Sequence, residues 1–272
     1  MPTIEFNVQR YNPETGREPR WQRFEVRTHP GMTVLEGLHQ IRADQDATLS
    51  WRYSCRMGVC GSCAMVINGK PGLACNTQIQ DVPASMIRLQ PLSNFRILKD
   101  LAADLAPMFD KHAALNTYLV HHDSAEMDAP TREFSQTPEQ LEAYLQFSHC
   151  TKCGACMAAC PTLAIDREFL GPMPLTAAHR YNADSRDEGF ESRRPRLNAS
   201  HSLFNCHYVA ECSRVCPKGV DPARAIQMMK RDLILASLKL KRKRTAAKVL
   251  PDPGPAVKGE DVPKAPQFTV RS

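Results

Sequence analysis

A chain of 272 residues, 42% hydrophobic and 24% charged, can build two modest cores and exceeds the usual size of one domain. Its net charge of +6 is spread along most of its length, and the dense block at Lys239, Lys241, Arg242, Lys243 and Arg244 has no interleaved aromatic residues, which argues against nucleic-acid binding. No basic segment followed by an apolar one opens the chain and no apolar run approaches the roughly 20 residues needed to cross a bilayer, so a cytoplasmic chain is expected, in which eleven cysteines point to metal ligation rather than disulfides.

In chain order, Ile4, Phe6 and Val8 alternate with polar residues, the pattern breaks at Asn12-Pro13-Glu14-Thr15-Gly16, and it resumes at Phe24-Glu25-Val26, which predicts a β-hairpin. Thr33 can cap a helix whose Val34, Leu35, Leu38 and Ile41 share a face. Ala64-Met65-Val66-Ile67 before Asn68-Gly69 reads as strand and turn, and 86–92 as a last strand. These elements make a small α+β unit over 1–98. From Lys99 onward Leu101, Leu105, Met108 and Phe109 recur at helical spacing, so 99–137 is read as a helical connector. Pro138 opens a further helix, and 138–240 is expected to be helical throughout. The Pro-rich, basic residues 241–272 lack periodicity and are expected to form a disordered tail.

The cysteines fall into patterned groups. Cys55, Cys60 and Cys63, with Cys75 further on, give the C-x4-C-x2-C spacing and distant fourth cysteine of a plant-type [2Fe–2S] site, in which Gly58 and Gly61 allow tight backbone conformations. Zinc is the competing reading, disfavoured because its ligands usually arrive as paired C-x2-C knuckles. Cys150, Cys153, Cys156 and Cys160-Pro161 form the C-x2-C-x2-C-x3-C-P run of bacterial ferredoxins, in which the fourth cysteine ligates the other cluster. A second run downstream has Cys206, Cys212 and Cys216-Pro217, with Val209 where the template asks for cysteine. Crossing the fourth ligands assigns Cys150, Cys153, Cys156 and Cys216 to a [4Fe–4S] cluster and leaves Cys160, Cys206 and Cys212 for a [3Fe–4S] cluster. A [4Fe–4S] cluster with His207 as a non-cysteine ligand is the alternative.

Such a set is a path for single electrons. The chain has no nucleotide fingerprint or P-loop, and its histidines, among them His149, His179 and His207, have no evident catalytic partner and read as surface or structural.

The order of these groups, with Ser54-Cys55-Arg56-Met57-Gly58-Val59-Cys60-Gly61-Ser62-Cys63, Ala178-His179-Arg180-Tyr181-Asn182-Ala183-Asp184-Ser185-Arg186-Asp187 and Cys216-Pro217-Lys218-Gly219-Val220-Asp221-Pro222, resembles the iron–sulfur subunit of succinate dehydrogenase/fumarate reductase, the complex II family, over about residues 3–240. The resemblance implies a β-grasp plant-type ferredoxin domain followed by an all-α bacterial-ferredoxin-like domain. It implies an FAD-containing flavoprotein partner that holds the dicarboxylate site, membrane anchor subunits with any haem, and a quinone. The chain would sit peripherally on the cytoplasmic face of the cell membrane, held there by the anchors. By the same resemblance Pro161, His207 and Lys230 line a quinone pocket. Leu163, Ala164 and Ile165 stand where ubiquinone-using members tend to carry tryptophans, which leans toward menaquinone and the fumarate reductase branch. A fumarate reductase served by a non-quinone donor, and a zinc-stabilised interaction module, are the competing functions.

Overall fold

The computed structural model describes residues 2–16, 18–131 and 133–240; the basic tail of 241–272 lies outside the described residues. Strands β1 (Thr3–Arg10) and β2 (Arg20–Arg27) form the expected antiparallel hairpin, Thr3 opposite Arg27 and Arg10 opposite Arg20. Its turn is fixed by Asn12, whose side chain accepts the Glu14 amide, and by Gly16 in the left-handed region. Helix α1 (Val34–Asp44) starts on a capping box, the Thr33 hydroxyl accepting the Glu36 amide while Glu36 accepts the Thr33 amide. Strands β3 (Ala64–Ile67), β4 (Lys70–Leu73) and β5 (Met86–Gln90) complete a sheet of order β2-β1-β5-β3-β4. The β1–β5 pair is parallel and the others antiparallel, so the sheet is mixed. Phe6, Val8, Leu38, Ile41, Ile87 and Leu89, all fully buried, fill the core that this sheet shares with α1.

Beyond the sheet the helical spacing read from Lys99 begins later than expected. Residues Ile97–Lys99 (β6) and Ala102–Ala103 (β7) pair as a short hairpin, and helix α2 covers Ala106–Ala113. The reason is Asp100. It takes a left-handed φ of 46° and is buried, with Oδ1 accepting from Arg10 Nε at 2.9 Å and the Tyr11 amide at 3.0 Å, and Oδ2 from the Ser50 amide at 2.9 Å. Arg10 also donates to Asp46 at 2.6 Å and Thr48 at 2.9 Å. A buried, paired charge thus ties the start of the connector to β1, and Leu101 packs into the first core instead of facing a helix partner.

Beyond β7 every regular element is a helix, but the connector is helical only over Ala106–Ala113 and Ser124–Asp128 among its described residues, and is otherwise irregular. After α3 (Ser124–Asp128) come α4 (Pro138–Ser148), α5 (Ala155–Ala158), α6 (Pro161–Ile165), α7 (Pro172–Ala183), α8 (Phe190–Leu197), α9 (Glu211–Arg214) and α10 (Pro222–Ser237), and no described residue from 138 to 240 lies in a strand. Pro stands at the start of α4, α6, α7 and α10, where its missing N–H costs nothing. Helix α7 is central, packed against α2, α4 and α10, with Met173, Leu175 and Ala178 fully buried. His179 on this helix is buried edge-on to Phe147, the structural role expected of it. The connector is bound to this half by Arg193, fully buried, which donates to Asp187, Asn182, and the carbonyls of Asn116 and Tyr118. Among the described residues no helix is long and apolar enough to cross a membrane.

Candidate metal centres

The loop between α1 and β3 wraps around sulfur. Arg56, Gly58 and Gly61 take φ values of 60°, 72° and 74°, and these left-handed steps turn successive amides inward. The Val59 and Cys60 amides donate to Cys55 Sγ at 3.3 and 3.2 Å, the Cys55 and Ser62 amides to Cys60 Sγ at 3.4 and 3.5 Å, and the Gly58 amide to Cys75 Sγ at 3.2 Å. The Cys75 amide donates to Cys63 Sγ at 3.4 Å, so the distant fourth cysteine, placed just after β4, joins the other three. Cys60 is exposed, and the Ser62 hydroxyl, then the Cys55 and Ser62 amides, hold its thiol down to about 6. Burial pushes Cys63 the other way, up to about 12.

In the helical half the remaining seven cysteines divide between two cavities. One, of about 380 Å³ including its open mouth, is lined by Cys150, Cys153, Cys156 and Cys216; the other, of about 350 Å³, by Cys160, Cys206 and Cys212. The last cysteine of each run thus stands in the wall of the cavity lined by the other cysteines of the neighbouring run. Burial raises the thiols of Cys150 and Cys212 to about 11, raises those of Cys153 and Cys160, and takes Cys156 well above its ordinary value. Among the described residues no three His, Cys, Asp or Glu side chains converge closely enough for a single metal ion. Soft sulfur donors, spread around a cavity and met by amide donors in the first loop, are a donor set that fits iron–sulfur clusters.

The two cysteine runs also share a backbone. In the first, Lys152 and Gly154 have φ of 55° and 86°, and α5 starts at the next residue; in the second, Tyr208 and Ala210 have φ of 57° and 64°, and α9 starts likewise. Val209 therefore occupies the place of Cys153, on the wall of the second cavity and 48% exposed. Gly154 is the only compositional trace of this left-handed pair, since Lys152, Tyr208 and Ala210 give no such signal in the sequence.

Pro161 and His207 are both exposed and line the second cavity. Lys230 stands beside it rather than in its wall: the half-buried ammonium donates to the Cys206 carbonyl at 2.9 Å and lies 6.0 Å from the Phe204 ring centre. Ile165, Phe204, Tyr208 and Val209 make the surroundings unusually apolar for a surface. Asn94 carried no signal in the sequence. Its φ is 65°, and its side-chain amide donates to the carbonyls of Met157, Ala158 and Cys160 at 2.9, 3.2 and 3.0 Å, clamping the segment between the two cavities to the first unit.

Comparison with known proteins places these cysteines within two family profiles, a 2Fe-2S iron-sulfur cluster binding domain over residues 5–110 and a 4Fe-4S dicluster domain over residues 146–220. The fumarate reductase iron-sulfur subunit of Haemophilus influenzae is 41% identical over 252 residues, 88% of this chain and 98% of the relative. That of Mycobacterium tuberculosis is 44% identical, covering 85% of this chain and 92% of the relative. The mitochondrial succinate dehydrogenase [ubiquinone] iron-sulfur subunit of Candida glabrata is 36% identical over 84% of this chain and 90% of its own. In fold, the chain matches one in the Mycobacterium smegmatis Sdh1 complex in the apo form, with a TM-score of 0.76 at 23% identity, over 88% and 98% of the two chains.

Proposed function

Because the chain belongs to the family of iron–sulfur subunits of fumarate reductase and succinate dehydrogenase, we propose that it relays electrons between an FAD-containing flavoprotein and a membrane quinone through [2Fe–2S], [4Fe–4S] and [3Fe–4S] clusters. Cys55, Cys60, Cys63 and Cys75 would hold the first, Cys150, Cys153, Cys156 and Cys216 the second, and Cys160, Cys206 and Cys212 the third. When bound, the clusters supply one-electron oxidation and reduction without making or breaking bonds to substrate. The observation that carries the assignment is the matched backbone of the two runs, with Val209 where the first has Cys153. An aliphatic side chain there offers no ligand to a fourth iron.

The chain's own residues tune each site. Amides of Gly58, Val59, Cys60, Ser62 and Cys75 aimed at sulfur favour the more negative state of whatever the thiolates hold. Burial around Cys156 opposes net charge in the four-cysteine cavity. At the third site the exposed apolar rim of Ile165, Phe204, Tyr208 and Val209 suits a quinone ring, with Pro161 and His207 on the cavity wall. The Lys230 ammonium is close enough to this rim to donate to a reduced quinone oxygen. Leu163, Ala164 and Ile165 favour menaquinone.

The sheet with its single helix supports a β-grasp ferredoxin domain over 1–98, and the strand-free residues 138–240 support a bacterial-ferredoxin-like domain, joined by the connector of 99–137. Membrane anchor subunits, with any haem, would hold the chain peripherally on the cytoplasmic face. Iron and acid-labile sulfide per chain, with electron paramagnetic resonance of the oxidised protein, test the assignment. A three-iron signal is expected; its absence from a chain whose other two centres are full would refute it.

A further inference from the structure

The first and second cysteine sites meet at a seam made of backbone. A Cβ built on Gly61 would lie 2.8 Å from Cys153 Cβ, 3.0 Å from Cys153 Cα and 3.1 Å from the Thr151 carbonyl oxygen. Two of those neighbours are backbone atoms, so they cannot swing aside as a long side chain would. The reciprocal side is similar: a Cβ on Gly154 would meet Leu92 at 3.2 Å, Phe95 at 3.4 Å and Leu105 at 3.5 Å. Both glycines are left-handed, with φ of 74° and 86°, and both are buried. Cys153 itself packs against the core of the first unit. Leu92, Ala103 and Ala158 form a small satellite core along the same seam, and the Asn94 clamp on the Met157, Ala158 and Cys160 carbonyls holds it shut.

We propose that Gly61 is a positioning residue that sets the separation between the first and second metal centres, the missing side chain letting the first loop rest directly on Cys153. The proposal rests on the reading of the two cysteine groups as adjoining redox centres. A one-electron relay needs such centres close together, and here the bare backbone of one loop touches a ligand residue of the next site. The same left-handed φ that turns amides toward sulfur inside the loop presents the loop's outer, side-chain-free surface to Cys153.

The test uses the full cluster-loaded chain and the variants G61A, G69A and Asn94→Ala. Gly69 has φ of 81° with nothing within 4 Å of its would-be Cβ, so G69A carries the backbone strain without the wedge. The readout is microwave power saturation of the reduced first centre, whose spin relaxes faster the closer it lies to a reduced second centre. In the unchanged protein and in G69A this enhancement is expected in full. In G61A molecules that retain first-centre iron the half-saturation power should fall severalfold, a fall that G69A does not show. An unchanged half-saturation power in a loaded G61A overturns the proposal. If G61A does not load its first centre, Asn94→Ala opens the same seam without altering the loop. It should show the same fall, and an unchanged value there is equally fatal. Lack of any first- or second-centre signal in the unchanged protein would instead refute the functional reading.

Discussion

Arg193 offers the sharpest test of how the connector is held. Its guanidinium is fully buried and makes five hydrogen bonds, two of them to Asp187, which is itself 1% exposed. Replacement by Met keeps much of the volume but strands the Asp187 carboxylate and the carbonyls of Asn116 and Tyr118. Removing one partner of a buried ion pair costs about 3–5 kcal/mol. Asp187 still accepts the Val120 amide at 3.0 Å and the Gly189 amide at 2.9 Å, which places the expected loss near the lower end, about 3 kcal/mol. That corresponds to roughly a hundredfold in the local opening equilibrium. Native-state hydrogen exchange is the suitable assay, because a two-unit metalloprotein does not unfold in a single step. Amides of Val120 and Glu188, which bond the connector to this region, should exchange about a hundredfold faster in R193M. A rise of less than about threefold would show that the pair contributes little and that apolar packing around α8 holds the connector. The double variant R193M/D187L, which removes both charges, should recover part of the loss.

Val209→Cys should give the second run its full ligand set without backbone adjustment, since Tyr208 and Ala210 already match Lys152 and Gly154; the three-iron signal should vanish and iron content rise by about one atom per chain. Lys230→Leu should lower quinone-linked turnover about tenfold, the scale of one charge-assisted hydrogen bond, while turnover with a soluble dye acceptor is kept; equal turnover with both acceptors would remove Lys230 from the quinone site. His112 is held down to about 4, chiefly by burial and then by Lys152. A depressed histidine is neutral in the fold while the unfolded chain binds the proton from its ordinary value of 6.5 downward, so its stabilisation is complete above that value and is lost as pH falls toward 4. Lowering the pH from about 7.5 to about 5.5 should cost about 1 kcal/mol, read as faster hydrogen exchange in α2, and His112→Gln should abolish that pH dependence.

Cysteine spacing makes the grouping of the cysteines legible because ligand geometry constrains sequence tightly: three cysteines two residues apart and a fourth before a proline mark segments that the fold gathers around two cavities. The first hairpin and α1 were legible for a similar reason, as the alternation through Phe6 and Val8 and the Thr33–Glu36 box are local signals. What escaped was non-local. Leu101 has helical spacing with Leu105, yet Asp100 is drawn back to Arg10, ninety positions earlier, and the chain pairs as a hairpin instead. Asn94 looks like an ordinary loop residue, and its importance lies in three carbonyls more than sixty positions away. Lys230 was placed near the third site by resemblance, but its bond to the Cys206 carbonyl needed the fold.

The exchange of last cysteines between the two runs has a consequence for biogenesis. Cys216 lines the cavity begun at Cys150, and Cys160 lines the one completed at Cys212, so each cavity spans both runs. Neither cavity can be completed while the ribosome is still short of the second run. A cluster bound in either cavity would act as a clasp between distant segments, removing loop entropy from the unformed half and easing closure of its neighbour. Metal loading of the helical half should therefore follow synthesis of the second run, and damage to one clasp should loosen both.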